Sequence, residues 1–107
     1  MTYLLDYHTL PNKNLKITLE NYVVHGLAPG GFITAVLTND LYRTVNAADS
    51  NNKKIVPEIV NWIQINLPIS CYGTQKNMKS WMKDEDGVRT AYAEHMKENK
   101  FWKTIQE

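Results

Sequence analysis

The chain of 107 residues has a single cysteine, no long apolar run and almost no net charge. Cys71 alone cannot form a disulfide within the chain, which excludes the disulfide-stapled class of small secreted domains. No apolar stretch reaches the roughly 20 residues that a helix needs to cross a bilayer. Twelve basic and eleven acidic residues leave a formal charge of +1, without the basic excess of nucleic-acid-binding domains. We therefore expect neither a membrane nor a nucleic acid as partner.

The N-terminus also lacks the marks of a secretory signal peptide. The segment MTYLLDYHTL has no basic start and no continuous apolar run. Together with the single cysteine, this predicts a cytoplasmic location. A content of 43% hydrophobic and 21% charged residues is typical of soluble globular proteins. A chain of this size forms one domain and has little room for a second.

Apolar residues at helical spacing are present along most of the chain. They predict five helices, near residues 12–25, 32–47, 52–66, 75–82 and 88–107. No strand-like alternation persists, and no repeat or low-complexity linker divides the chain. The prediction is an all-α, compact single domain of about five helices over residues 1–107, with residues 83–107 as a candidate C-terminal helical extension.

Glycine, proline and capping residues predict where these helices end. Gly26 predicts a left-handed stop of the first helix, and Thr74 predicts a cap of the fourth. Pro57 leaves two alternatives, since it removes a hydrogen bond inside a helix: the third helix begins close before it, or bends there. The acidic run at 84–86 precedes a helix start, where negative charge is favourable.

The stretch HGLAPGGFITAVLTNDL, residues 25–41, joins a Pro-Gly-Gly turn to a helix-patterned segment. The free backbone N–H groups of a helix start attract anions, so Gly30, Gly31 and Phe32 are candidate phosphate contacts. The alternative is a corner, in which Pro29 and Gly30 turn the chain and Gly31 lets two helices pack closely. No P-loop pattern is present, and we favour the corner.

The same segment places polar residues within an apolar stripe. The stripe is the row Ile33, Leu37, Leu41 and Val45. Asn39 and Asp40 interrupt it, so they must face water, be satisfied internally or line a cleft. In a cleft, Asp40 would accept a hydrogen bond from a ribose or base edge and Arg43 would hold a phosphate. Changing Asp40 or Arg43 to Ala is then expected to abolish ligand capture without unfolding the protein. Tyr72 and Trp81 are the candidates for stacking on a base.

Residues suited to catalysis or metal binding form no recognisable pattern. His8, His25 and His95 have no partner histidine at helical spacing, and Cys71 has no neighbouring Cys or His. We therefore expect no catalytic residue, no metal and no cofactor, that is, a protein that is not an enzyme. A hydrolase would require the fold to bring Asp40 to His25 or His95.

Three segments, YVVHGLAPGGFITAVLTNDL, AADSNN and IVNWIQINLPISCYGTQKNMKSWM, together resemble a group of small bacteriophage and prophage proteins. The similarity covers roughly residues 15–82. The matching positions are His25, Pro29, Gly30, Phe32, Asn39, Asp40, Leu41, Ala48, Asp49, Asn52, Tyr72 and Gly73. Gly31 and Thr74 replace the usual serines of that group. The resemblance implies a phage origin and a non-structural accessory role.

Small phage accessory proteins often block a host system, which leaves two hypotheses for the function. In the first, a homo-oligomer counters host defence by sequestering a nucleotide-derived signal. Its ligand-binding residues would be Gly30, Gly31, Phe32, Asn39, Asp40, Arg43, Tyr72 and Trp81. In the second, the chain is an inhibitor or regulator that binds a host or phage protein and no small ligand, with its hot spots on the C-terminal helix. The sequence favours the first, since its polar residues lie in the shared motif.

Overall fold

The structure, a computed structural model, describes residues 5–98, which form seven α-helices and no strand. The helices are α1 (Lys16–His25), α2 (Gly31–Leu37), α3 (Leu41–Ala47), α4 (Ser50–Lys53), α5 (Val56–Asn66), α6 (Gln75–Lys83) and α7 (Val88–Glu98). Single 3₁₀ turns lie at Lys13–Leu15, Ile69–Cys71 and Glu85–Gly87. The all-α prediction is confirmed, and the predicted number of about five helices is too low. The part of the last predicted helix beyond Glu98 lies outside the described residues.

In the structure, two of the predicted helices are each divided into two shorter helices. The predicted helix at 32–47 is α2 followed by α3, because Asn39 has a left-handed φ of 60° and Asp40 begins a new helix as its N-cap. An α-helix cannot continue through a left-handed residue. The predicted helix at 52–66 is α4 followed by α5, with a turn between them that ends just before Val56.

Three helix ends follow the local rules that the sequence suggested. Pro57 occupies the first turn of α5, where its missing N–H is not needed, so the helix begins close before it and does not bend there. Gly26 ends α1 with a left-handed φ of 68°. Thr74 caps α6, since its hydroxyl oxygen accepts a hydrogen bond from the backbone N–H of Asn77 at 3.0 Å. The predictions for Gly26 and Thr74 are confirmed, and of the two alternatives left open at Pro57 the structure shows the first.

The acidic run at 84–86 connects α6 to α7. Asp84 ends α6 with a left-handed φ of 56°. Its carboxylate accepts hydrogen bonds from the hydroxyl of Thr90 and, at 3.0 Å, from the backbone N–H of Thr90 in the first turn of α7. The bond from the hydroxyl, followed by the one from the backbone, lowers the pKa of Asp84 below its usual value. The predicted role of this run at a helix start is confirmed for Asp84.

Within residues 5–98, the buried side chains form one apolar core between α1, α2, α5, α6 and the segment before α1. Its buried side chains are Leu5, Tyr7, Leu10, Leu19, Tyr22, Val23, Ile33, Leu37, Ile59, Trp62, Ile63, Leu67, Cys71, Met78 and Trp81. Two buried donors tie distant segments together. The hydroxyl of Tyr22 donates to the carbonyl of Cys71 at 2.6 Å, and the indole N–H of Trp81 donates to the carbonyl of Val23 at 3.1 Å. These bonds satisfy polar groups that burial would otherwise leave unpaired.

Arg89 on α7 joins the C-terminal ends of α1 and α6. Its Nε donates to the carbonyl of Trp81 and its Nη1 to the carbonyl of Val24, each at 3.0 Å. Both carbonyls belong to the last turns of their helices, where a nearby cation is favourable. Within the candidate extension at 83–107, the described helix α7 is thus attached to the rest of the domain by hydrogen bonds as well as by packing.

We predict that Gly26→Ala lowers the free energy of unfolding by about 1 to 3 kcal/mol. The left-handed φ of 68° opposes a side chain, and the added Cβ would lie 2.8 Å from the guanidinium carbon of Arg89. Gly87→Ala is the matched control, because Gly87 has nearly the same φ of 69° and nothing lies within 4 Å of an added Cβ there. Urea unfolding of both variants measures the difference. Equal effects at the two glycines would contradict this role of the Gly26 and Arg89 contact.

Candidate functional site

The structure places the predicted site residues in three separate regions. The start of α2 carries Gly30, Gly31 and Phe32, the α2–α3 junction carries Asn39, Asp40 and Arg43, and the segment from the end of the Ile69–Cys71 turn into α6 carries Tyr72 and Trp81. Because α2 has seven residues, the first two regions lie about 10 Å apart along its axis. The glycine turn is therefore not in direct contact with Asp40 and Arg43, and it does not line the depression beside Asp40.

The Pro-Gly-Gly turn has the geometry of a corner. Pro29 is buried, and Gly30 has a φ of 85° and a ψ of 171°, a combination that is essentially restricted to glycine. Gly31 has open space around it, with nothing within 4 Å of an added Cβ, so it does not serve the close helix packing that the sequence suggested. Phe32 is half-buried and packs against the core. The corner requires a glycine at position 30, whereas nothing in the surroundings of Gly31 requires one there.

Asn39 and Asp40 form the break between α2 and α3. Asn39 adopts the left-handed conformation that asparagine tolerates better than most residues. The carboxylate of Asp40 accepts a hydrogen bond from the backbone N–H of Arg43 at 3.1 Å, which caps α3. Its second oxygen lies 3.8 Å from Nε of Arg43, in a pair that is largely exposed. These roles account for a polar pair in an apolar stripe without a ligand.

Because of this break, the second half of the predicted apolar row, Leu41 and Val45, is exposed to solvent. Leu37 at the end of α2 is fully buried, whereas Leu41 and Val45 on α3 are 67% and 43% exposed. Tyr42 beside them is 82% exposed. Thr44 is the one buried residue of α3. We call Leu41, Tyr42 and Val45 the α3 surface.

An open depression of about 530 Å³ lies next to the α3 surface. It is lined by Thr38, Asn39, Asp40, Leu41, Tyr42 and Gln75. The backbone N–H of Gly73 donates to the carbonyl of Leu37 at 2.6 Å and so holds the loop before α6 against the junction. Gln75 was not a predicted site residue, because it reaches this place through the packing of segments that are distant in sequence. The depression combines an exposed aromatic ring with amide and carboxylate groups.

The two aromatic residues predicted to stack on a base have other surroundings. Trp81 is 2% exposed, and its ring contacts Tyr92 edge-on with 5.7 Å between the ring centroids. It is buried in the core, which disfavours stacking on a ligand, and its predicted contact with a base stays a prediction. Tyr72 is half-buried against the core. The exposed ring beside the depression is that of Tyr42. The predicted continuous helix over residues 32–47 gave no reason to select this residue.

The histidines and the cysteine lie apart from this depression's lining. His8, His25 and His95 are exposed, and burial raises the pKa of the Cys71 thiol to about 12, so the thiol is protonated at neutral pH. Within residues 5–98, no group of three or more His, Cys, Asp or Glu side chains could hold a metal ion. No helix in that range has the length and apolar character of a membrane span.

No protein-family model, curated protein or solved structure matches this chain. The resemblance of residues 15–82 to small phage proteins stays a prediction. What the chain binds must therefore be inferred from the side chains that it exposes, above all those of the α3 surface and the depression.

We predict that Asn39→Gly keeps or raises the stability of the protein, whereas Asn39→Ala lowers it by about 1 kcal/mol. Glycine adopts the left-handed conformation freely, and alanine does not. If residues 32–47 formed one helix, the order would be reversed, since glycine inside a helix is about 1 kcal/mol less favourable than alanine. Urea unfolding of the two variants distinguishes the cases by the sign of their difference.

Asp40→Ala is expected to lower the free energy of unfolding by about 1 kcal/mol through loss of the α3 cap. The sequence alone suggested a substitution without effect on the fold. Asp40→Ser is the control, because serine caps helices about as well as aspartate. Thermal or urea unfolding measures both, and an Asp40→Ala variant as stable as Asp40→Ser would argue against the capping role.

Proposed function

We propose that the chain is a binding protein that inhibits or regulates another protein, and that its partner docks on the α3 surface. The observation that carries this proposal is the exposure of Leu41, Tyr42 and Val45 on a helix whose one buried residue is Thr44. Neighbouring exposed apolar side chains mark interaction sites, and tyrosine is enriched among the residues that dominate binding energy.

The groups around the α3 surface indicate the kind of partner. Leu41 and Val45 stand one turn apart, the spacing with which an amphipathic helix anchors itself in an apolar groove. Asp40 and Arg43 carry opposite charges beside them, so the region has no net charge to attract a strongly charged partner. The partner that fits is a protein with an apolar groove and a polar, mostly uncharged rim.

This location differs from the C-terminal helix, where the sequence suggested the binding hot spots. In the described part of that helix, Tyr92 packs edge-on against Trp81. Burial, with smaller contributions from neighbouring groups, raises the pKa of Tyr92 to about 12. Tyr92 thus contributes to the domain's own packing, and α3 has more apolar surface to offer a partner. Trp102 lies outside the described residues.

The biological setting belongs to the same proposal. The resemblance of residues 15–82 to small phage proteins supports a phage accessory protein that counters a host defence system. A host protein is then the partner that we propose, and binding without catalysis is the mode of action. The homo-oligomer expected from the sequence is not required by this mechanism, since one exposed α3 is enough to occupy one groove.

A second candidate function is sequestration of a nucleotide-type ligand, which the sequence favoured. The depression supports it, because its volume of about 530 Å³ lies within the size range of small-ligand sites. The Tyr42 ring could stack on a base, Asn39 and Gln75 could pair with its edge, and Arg43 could contact a phosphate. This function ranks second, since the glycine turn and Trp81 do not contribute to the depression and Asn39 forms the helix break.

We predict that a photo-reactive benzoylphenylalanine in place of Tyr42 forms a discrete cross-link with a host protein. The same residue in place of Leu27 is the control, because Leu27 is 54% exposed but lies outside the α3 surface. An excess of unmodified protein should suppress the cross-link, and an excess of the Val45→Ser variant should not. Mass spectrometry of the product should place the contact in an apolar groove of the partner. Equal products from positions 42 and 27, or none from position 42, would contradict the proposal.

Two single substitutions separate the protein partner from the nucleotide. Val45 belongs to the α3 surface but does not line the depression, and Gln75 lines the depression but lies on α6. Val45→Ser should prevent the cross-link and Gln75→Ala should preserve it. A nucleotide at a hundredfold excess over its Kd would instead stabilise the fold by about 2.7 kcal/mol. A rise in Tm with one nucleotide that Gln75→Ala abolishes and Val45→Ser retains would favour the second candidate.

A further inference from the structure

The indole N–H of Trp62 is a buried donor without an acceptor. Trp62 is 3% exposed, and its Nε1 has no hydrogen-bond partner in the part of the chain that the structure describes. The indole of Trp81 shows the usual situation, since it donates to the carbonyl of Val23. Most buried polar groups in folded proteins are paired, and an unpaired one is destabilising. An acceptor that reached Trp62 would therefore remove an existing penalty.

Trp62 also lines an open groove of about 570 Å³ between the segment before α1 and one face of α5. The groove is lined by Thr9, Pro11, Glu58, Asn61, Trp62, Ile65 and Asn66. Tyr7 stacks on the Trp62 ring with 5.6 Å between centroids and 18° between the ring planes. Asn66 donates from Nδ2 to the carbonyl of Trp62 at 2.9 Å. The stacking on Tyr7 thus holds the Trp62 ring in position before any ligand binds.

We propose that this groove binds a small uncharged apolar molecule that carries a carbonyl acceptor, and that Trp62 donates the hydrogen bond to it. The volume lies within the range of small-ligand sites. Pro11, Ile65 and the indole ring supply apolar surface. The indole N–H is a donor and so selects a ligand with an acceptor, and the carboxylate of Glu58 disfavours an anionic acceptor. The groove shares no residue with the α3 surface or its depression, so the inference is independent of the proposed function.

Access to the donor requires a side chain to move. Nε1 of Trp62 is sealed from water, so a carbonyl reaches it only when the wall of the groove opens locally. In this proposal Ile65 is the residue that moves, because it lines the groove and, at 72% exposed, loses little packing when it does. Only a ligand with an acceptor gains this hydrogen bond. The carbonyl therefore distinguishes molecules that bind tightly from molecules that make apolar contacts alone.

Acetophenone and α-methylstyrene are a matched pair of probes, because they have nearly the same shape and only acetophenone has a carbonyl. The chain has three tryptophans and thus three indole N–H cross-peaks in a proton–nitrogen NMR spectrum. Acetophenone should move the Trp62 cross-peak downfield in a saturable way and leave that of Trp81 in place. It should bind about fivefold or more tightly than α-methylstyrene.

Trp62→Phe assigns the cross-peak and removes the donor, and this variant should bind the two probes equally well. If it does not fold, contacts between the indole proton and the Tyr7 ring assign the cross-peak in the unaltered protein. An unmoved Trp62 cross-peak throughout the acetophenone titration would overturn the proposal. Equal affinities of the unaltered protein for the two probes would overturn it as well.

Discussion

The left-handed backbone at Asn39 is the constraint on which the exposed surface of this protein depends. Because the helix cannot continue through it, α2 ends at Leu37 and Asp40 caps a new helix. Leu41 and Val45 then face solvent, although their spacing continues the buried row of α2. The conformation of one residue thus decides whether this apolar row completes the core or is available to a partner.

The rest of the domain holds α3 in position, although this helix buries few side chains of its own. The hydrogen bond from Gly73 to the carbonyl of Leu37 ties the end of α2 to the loop before α6. Arg89 in turn fixes the end of α6 to the end of α1. Elements that bind partners are often drawn from the less stable parts of a fold. With Thr44 as its one buried residue, α3 has few buried contacts that stabilise it. A partner's groove would supply the packing that the domain does not.

Local rules predicted much of this fold, and long-range geometry accounts for what they missed. The ends at Gly26 and Thr74 depend on residues close in sequence, so they could be read directly. An aspartate just before a helix is also a local capping signal, but at Asp40 the apolar row, which continues beyond it at helical spacing, outweighed that signal. The burial of Trp81 and the place of Gln75 beside the depression depend on how distant segments pack. For that reason, the sequence brought together candidate residues that the fold keeps apart.

NMR of the backbone from Gly31 to Ala47 tests the break most directly. The coupling between the amide and α protons of Asn39, together with its intraresidue contacts, reports the sign of φ. We predict helical chemical shifts over Gly31–Leu37 and over Leu41–Ala47, separated by a positive φ at Asn39. Uninterrupted helical shifts across Asn39 would contradict this structure, because Leu41 and Val45 would then continue the buried row and no α3 surface would exist for a partner.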